Sequence, residues 1–158
     1  QTVRKFGSKV YYGDASRLDL LEAAGAANAK IFVLAVDDPE ASVNIARIVR
    51  QHFPHLKLIV RARNRSHAHE LLDIGVDDLR RETLASSLES AHVMLRELGF
   101  SEKRADQMVK TFRKHDEETL RSQMQYRGNE KLFVDYSNQA GLQLAEVFRQ
   151  DALAEEKD

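Results

Sequence analysis

Cysteine and tryptophan are absent from the 158-residue chain, and proline occurs only twice. Without cysteine there can be no disulfide bonds and no thiolate metal sites, which fits a reducing compartment. No apolar run approaches the length of about 18 residues that spans a bilayer, so we expect a soluble fragment. The chain also has almost no net charge, because its 24 Lys and Arg residues nearly balance its 25 Asp and Glu residues. The balance predicts no overall field that would recruit nucleic acid.

The composition, 42% hydrophobic and 31% charged, is typical of one globular core with a helical appendage. The chain begins with Gln1, and residues 2–6 look like the end of a helix. We therefore expect it to be a piece cut from a larger protein.

Strands and helices alternate in the predicted structure of the first half. Residues 9–12 and 56–63 predict strands, and the apolar run 30–36 predicts a strand that is buried on both faces. Helices are predicted at 16–24, at 39–53 after an N-cap at Asp38, and at 67–74 before Gly75. This order predicts an α/β fold, a Rossmann-like parallel sheet built from right-handed βαβ units, with its N-terminal part missing.

The second half predicts helices alone, at 83–98, at 101–126 with Ser101 as its cap, and from about 130 to an acidic tail. We therefore divide the chain into a sheet domain, 1–82, and a helical extension, 83–158. The segment 77–84 between them has two interpretations: a helix start with Thr83 as cap, or a grip on an anion by Arg80 and Arg81.

Small and charged residues follow each predicted strand where ligands bind in a doubly wound sheet, at the carboxyl ends. Glycine and alanine allow a ring to approach the backbone, a carboxylate accepts from ribose hydroxyls, and arginine pairs with phosphate. A nucleotide would satisfy all three turns. The alternative is that the acidic residues only cap the helices that follow them. The residues concerned are Gly13, Asp14 and Ala15, then Ala35, Val36 and Asp37, then Arg61, Ala62 and Arg63.

Motifs of catalysis and metal binding are not found. The sequence has no G-x-G-x-x-G turn, no P-loop, no G-x-S-x-G and no serine, histidine and acid arrangement, so no enzyme is predicted. His67 and His69 lie two positions apart, and on a helix they point away from each other, so no metal site is predicted either.

Three runs of the sequence resemble a known family: "RKFGSKVYYGDASRLDLLEAAGA", "HFPHLKLIVRAR" and "GVDDLRRETLASSLE". They are similar to the cytosolic nucleotide-binding domain, called KTN or RCK, of the Kef glutathione-gated potassium efflux systems (KefB and KefC). The resemblance covers roughly residues 2–122.

The resemblance implies a regulatory domain of a potassium/proton antiporter at the cytoplasmic face of the bacterial inner membrane. It implies a homodimer attached to the membrane antiporter domain of the same chain, with a flavin-dependent quinone reductase-like ancillary subunit as a further partner. Glutathione would hold the system closed, and glutathione adducts of electrophiles would open it. The alternative is a nucleotide-gated RCK/KTN domain of another potassium channel or transporter. A dehydrogenase fragment is a third possibility, against which the lack of a general acid or base argues.

The resemblance also implies site residues. AMP or NAD(H) would bind near Asp14 and Ala15 and near Arg61, and we add Gly13 and Asp37 from the strand ends. Glutathione would contact Arg81 of the R-E-T motif and Asp116, and Phe6 would sense bulky adducts. At Asp116 KefC-type members carry Asn, so this position resembles the KefB pattern. Because a sheet without its first strand exposes apolar edges, we expect the fragment to swap elements or to aggregate.

Overall fold

The computed structural model describes residues 12–155, with side chains described as far as residue 150. It divides into two compact units, one that ends at Glu82 and one that begins at Thr83. The first unit holds the sheet, and the second is helical. No helix within the described residues has the length and apolar character that crossing a membrane requires.

Three parallel strands form the sheet in the order β1-β2-β3: β1 is Ile31–Leu34, β2 is Lys57–Ala62 and β3 is Asp78–Arg81. Leu34 pairs with Val60 across the first ladder, and Ala62 pairs with Arg81 across the second. Helices connect the strands, as parallel pairing requires. The predicted α/β class with a parallel sheet and a helical C-terminal part is confirmed.

The helices of the first unit are α1, Leu18–Ala23, α2, Pro39–His52, and α3, Arg65–Ile74. As predicted, the Asp38 side chain caps α2 by accepting from the Ala41 amide at 2.7 Å. The cap of α3 is Asn64, and α3 ends at Gly75, whose φ of +79° lies in the left-handed region that favours glycine. The predicted strand 9–12 lies outside the described residues except for Tyr12, which is not in a strand.

The core of the first unit lies around β2, the central strand. Leu58, Val60 and Ala62 are fully buried there. The prediction that the strand within 30–36 is buried on both faces is wrong for the described chain, because Ile31 is 53% and Val33 67% exposed. These two residues alternate and so share one face of β1, and no described element covers that face.

The segment 77–84 is the main correction to the sequence analysis. Residues 78–81 form β3, a strand that the sequence analysis did not predict, because the segment pairs with β2 and the Glu82 amide extends the ladder to the Ala62 carbonyl at 2.9 Å. Tertiary pairing here outweighs the low strand propensity of Asp78. Thr83 does precede the next helix, but its side chain makes no capping hydrogen bond.

The second unit consists of α4, Leu84–Glu97, α5, Glu102–Ser122, and α6, Glu130–Glu155, with a 3₁₀ turn at Gln123–Tyr126. The cap predicted for α5 is observed, since Ser101 Oγ accepts from the Arg104 amide at 3.2 Å. Among its described side chains, the buried apolar ones are Leu88, Ala105, Leu120 and Ala140.

Candidate functional site

Arg61 connects the carboxyl ends of all three strands. It is the fifth residue of β2, and its guanidinium donates to the Ala35 carbonyl, just after β1, at 2.9 Å. The same nitrogen pairs with the Asp37 carboxylate, and the other terminal nitrogen reaches Glu82 Oε1, just after β3, at 3.4 Å. We call Ala35, Asp37, Arg61 and Glu82 the Arg61 cluster. The predicted meeting of Asp37 and Arg61 at this edge is therefore observed.

The charged groups of the Arg61 cluster are accessible to a ligand. The side chains of Arg61, Asp37 and Glu82 are 31%, 86% and 40% exposed. Ion pairs this exposed contribute little to stability and exchange partners readily. A guanidinium has five N–H donors in a planar fork, and the contacts above use three of them. Donors therefore remain for an anion such as a phosphate group.

The turn after β2 is held by a buried histidine. His67 is only 2% exposed, and its Nδ1 accepts from the Arg63 amide at 3.2 Å. Burial lowers the pKa of His67, although the negative charges of Glu70 and Asp38 act to raise it. The imidazole is therefore neutral at physiological pH, which an Nδ1 acceptor requires. Because Arg63 also reaches the Asp37 carbonyl at 3.5 Å, this histidine helps to fix the backbone beside the Arg61 cluster.

Asp14 forms a separate acidic turn. Its Oδ1 accepts from the Ser16 amide at 2.8 Å, and this hydrogen bond is the main reason why the pKa of Asp14 lies below its usual value. The carboxylate is therefore ionised at neutral pH, and its second oxygen keeps acceptor capacity. The interpretation of Asp14 as the cap of α1 is wrong, because α1 begins at Leu18 with Arg17 in the N-cap position. Asp14 instead makes a short turn of its own.

A small concavity of about 210 Å³ lies at this turn. Gly13 belongs to its lining, and a Cβ there would lie 2.7 Å from Leu20 Cδ2, so glycine leaves room that a larger residue would fill. Ala15, next to Asp14, is half-buried. No hydrogen bond or ion pair joins Asp14 to Arg61 in the described part of the chain. The residues that the sequence analysis assigned to one sheet edge thus form two groups in the structure, the Arg61 cluster and the residues around the concavity at Asp14.

The described residues predicted to contact glutathione lie on different elements of the chain. Arg81 is half-buried and is the last residue of β3, a strand that the sequence analysis did not predict. Asp116 is half-buried on α5, in the second unit. Phe6 lies outside the described residues.

Glu82 was not among the sequence-predicted site residues, and Ala35 was predicted there for its small side chain and not for its carbonyl. The signal for Glu82 is indirect, because its position beside Arg61 follows only once residues 78–81 are known to be a strand paired with β2. A backbone carbonyl such as that of Ala35 has no signature in the sequence at all.

Comparison with known proteins gives two family matches. The TrkA-N domain matches residues 1–81, and the potassium efflux system KefB C-terminal domain matches residues 86–158. The boundary between the matches falls close to the division of the structure at Glu82 and Thr83.

Relatives of known identity point the same way. The chain is 35% identical over 151 residues to the glutathione-regulated potassium-efflux system protein KefC of Escherichia coli O139:H28 (strain E24377A / ETEC), and equally to that of Shigella boydii serotype 18 (strain CDC 3083-94 / BS512). These alignments cover 96% of this chain but only 24% of each relative, so the chain spans about a quarter of their length.

A solved structure is also similar, the Shewanella denitrificans Kef CTD in its AMP-bound form. It has 40% sequence identity and a TM-score of 0.70, and the match covers 72% of each chain. The resemblance to Kef domains is thereby confirmed: the chain belongs to the TrkA-N domain family through residues 1–81 and, as a whole, to the C-terminal domains of the Kef potassium efflux systems.

Proposed function

We propose that this chain is a nucleotide-binding regulatory domain of a Kef-type potassium efflux system, with AMP as its nucleotide. The observation that supports this most is the Arg61 cluster, a partly exposed guanidinium at the ends of three parallel strands, in a chain 40% identical to an AMP-bound Kef domain. The matched families are potassium-transport domains, which is consistent with a role other than catalysis.

In this proposal the Arg61 cluster and the concavity at Asp14 divide the nucleotide between them. The remaining donors of Arg61 bind the phosphate, because a guanidinium pairs with phosphate oxygens in a planar, bidentate geometry. The Asp14 carboxylate accepts from a ribose hydroxyl, and Gly13 and Ala15 leave space for the sugar and base. Asp37 pairs with Arg61 in the absence of ligand, and the incoming phosphate replaces part of this ion pair.

Regulation requires a ligand that binds two states of the protein with different affinity. We propose a homodimer, attached to a membrane antiporter domain at the cytoplasmic face, whose two arrangements glutathione and its adducts bias in opposite directions. Arg81, Asp116 and Phe6 are the proposed contacts for this tripeptide. The quinone reductase-like subunit would be a further partner.

Calorimetric titration of AMP, NAD⁺ and NADH into the chain tests the nucleotide. AMP should bind, and Asp14→Asn should weaken AMP binding at least about tenfold, because a hydrogen bond to a charged group contributes about 1.5–3 kcal/mol. Asp135→Asn, an exposed change on α6, is the control and should bind as the unaltered chain does. Binding of NADH in preference to AMP would replace AMP in the proposal, and binding of neither would refute it.

A second titration tests glutathione, with the free tripeptide and with a bulky thioether adduct competing for the same site. Arg81→Ala should abolish the binding of both compounds. Arg80 is on the same strand but is exposed and paired with Asp78, so Arg80→Ala should leave the binding of both compounds intact. A chain that binds AMP but neither tripeptide would favour the alternative, a nucleotide-gated domain of another potassium channel or transporter. Equal losses of tripeptide binding in Arg81→Ala and Arg80→Ala would contradict the assignment of Arg81 to the site.

A further inference from the structure

We propose that the second unit carries a site for a divalent transition metal of the Zn²⁺ type, formed by His92 of α4 and by Glu102 and Asp106 of α5. The three side chains each offer one ligand atom, and these atoms all lie within 4.8 Å of one another. The site is separate from the proposed nucleotide and glutathione contacts and does not depend on them.

The two distances from His92 to the carboxylates are close to those of tetrahedral coordination. Zn²⁺ lies about 2.0–2.1 Å from imidazole nitrogen and carboxylate oxygen, so neighbouring ligand atoms in a regular tetrahedron are about 3.3–3.4 Å apart. His92 Nε2 is 3.2 Å from Asp106 Oδ1 and 3.6 Å from Glu102 Oε1. Small side-chain adjustments would therefore admit the ion, with water as the fourth ligand.

The Nε2 atom of His92 lies where the proposed metal ion needs a nitrogen ligand. His92 Nε2 is shielded from solvent and makes no hydrogen bond of acceptable geometry within the described residues. Buried polar atoms of proteins are nearly always hydrogen-bonded, so such an atom between two carboxylates requires an explanation. A metal ion bound to Nε2 supplies one, because it takes the lone pair of the neutral imidazole.

Arg96 orients one of the carboxylates. Its Nε forms an ion pair with Glu102 Oε2 at 2.9 Å, whereas Glu102 Oε1 is the oxygen near His92. The same guanidinium also donates to the Phe100 carbonyl, in the connection between α4 and α5. This is the arrangement of an outer group that fixes a metal ligand, and its loss in known sites costs about 10–100-fold in affinity.

Charge and ligand type select the ion. Glu102 and Asp106 lie one turn apart on α5, where two like charges repel each other and a cation between them relieves the repulsion. One nitrogen and two oxygens suit Zn²⁺, Co²⁺ or Ni²⁺, whereas Mg²⁺ and Ca²⁺ prefer oxygen alone. Bound metal would link α4 to α5 and so stiffen this helical hairpin.

The test titrates Co²⁺ and then Zn²⁺ into the whole chain after removal of metals with a chelator. Co²⁺ should give the strong visible absorption of a tetrahedral site, and Zn²⁺ should displace it. His92→Gln and Asp106→Asn should each weaken Zn²⁺ binding at least about tenfold, and Arg96→Gln should weaken it by about tenfold. His115→Gln, which removes another histidine of the same unit, is the matched control and should bind normally.

Circular dichroism establishes that each variant keeps its helices. Asp106 is 52% exposed, so Asp106→Asn should fold even if His92→Gln does not. Absence of Zn²⁺ binding at micromolar metal overturns the proposal and leaves His92 as a partner of the two carboxylates alone. Binding that persists in Asp106→Asn, or that is lost equally in His115→Gln, overturns it as well.

Discussion

At the scale of single residues, Arg61 and His67 illustrate two uses of a basic side chain. Arg61 is partly exposed and bonded to groups that follow two other strands, β1 and β3, so its contacts are available for exchange with a ligand. His67 is buried a few residues further along, where it fixes a turn and is neutral. The difference in burial decides which of the two can act on a small anion.

The buried histidine predicts a pH dependence of stability. The pKa of His67 is ordinary, near 6.5, in the unfolded chain and lower in the folded one. Below about pH 6.5 the unfolded state therefore takes up a proton that the folded state does not. The free energy of unfolding falls as the pH drops from there towards the folded pKa, by at most about 1.4 kcal/mol per pH unit.

Urea unfolding between pH 7.5 and 5 measures this slope. His67→Gln keeps an acceptor for the Arg63 amide but does not titrate, so its slope should be smaller than that of the unaltered chain. His52→Gln, an exposed change at the end of α2, should leave the slope unchanged. An equal slope in His67→Gln would contradict the account.

Some residues of the site follow from the sequence, and others do not. Asp37 and Arg61 were predicted together because the ends of parallel strands meet at one edge, and they do meet. The bond of Asp14 to Ser16 was not predicted, because side-chain turns compete with helix capping over distances of one or two residues. Sequence periodicity does not resolve differences so small.

At the scale of secondary-structure elements, a second arginine ties the opposite end of the sheet. Arg50 of α2 donates to the Gly75 carbonyl and to Asp77, both at 2.7 Å, and to the Leu56 carbonyl at 3.3 Å. Asp77 in turn accepts from the Leu58 amide at 2.7 Å. This network joins the end of α2 to the amino ends of β2 and β3.

Loss of this network should destabilise the first unit. Arg50→Met keeps much of the side-chain volume but leaves the carbonyls and Asp77 without their donor, at an expected cost of about 1–3 kcal/mol. Arg47→Met, an exposed change one turn earlier on α2, should cost less than about 0.5 kcal/mol. Denaturant unfolding measures both, and similar values for the two variants would show that the network contributes nothing.

Elements with clear local signals were predictable, and β3 was not. Asp38 and Pro39 mark the start of α2, and Gly75 marks the end of α3, through interactions within a few residues. Residues 78–81 carry a charged sequence without apolar alternation. Their strand depends on the neighbouring β2, an interaction that no local pattern reveals.

At the scale of the whole molecule, the chain consists of two units that match two different families. The fold class was predictable because alternating strands and helices admit few arrangements. The identity of a ligand was not, since strand-end residues of this kind suit many nucleotides. The resemblance to Kef domains, and not the periodicity of the sequence, narrowed the choice of ligand.

Large apolar side chains are exposed in the second unit, among them Leu98 at 67% and Leu142 at 73%. Apolar surface of this kind is common at interfaces between subunits. Self-association of the chain therefore stays a prediction, either as the homodimer that the resemblance implies or as the swapping or aggregation expected from exposed sheet edges.

The most direct test of the central claim is the affinity of AMP for the chain carrying Arg61→Met, measured by calorimetry beside Arg47→Met. The account predicts that Arg61→Met weakens AMP at least about tenfold, because a charged hydrogen bond to phosphate is lost, while Arg47→Met binds AMP as the unaltered chain does. Equal affinity of AMP for both variants would contradict the assignment of the phosphate to Arg61.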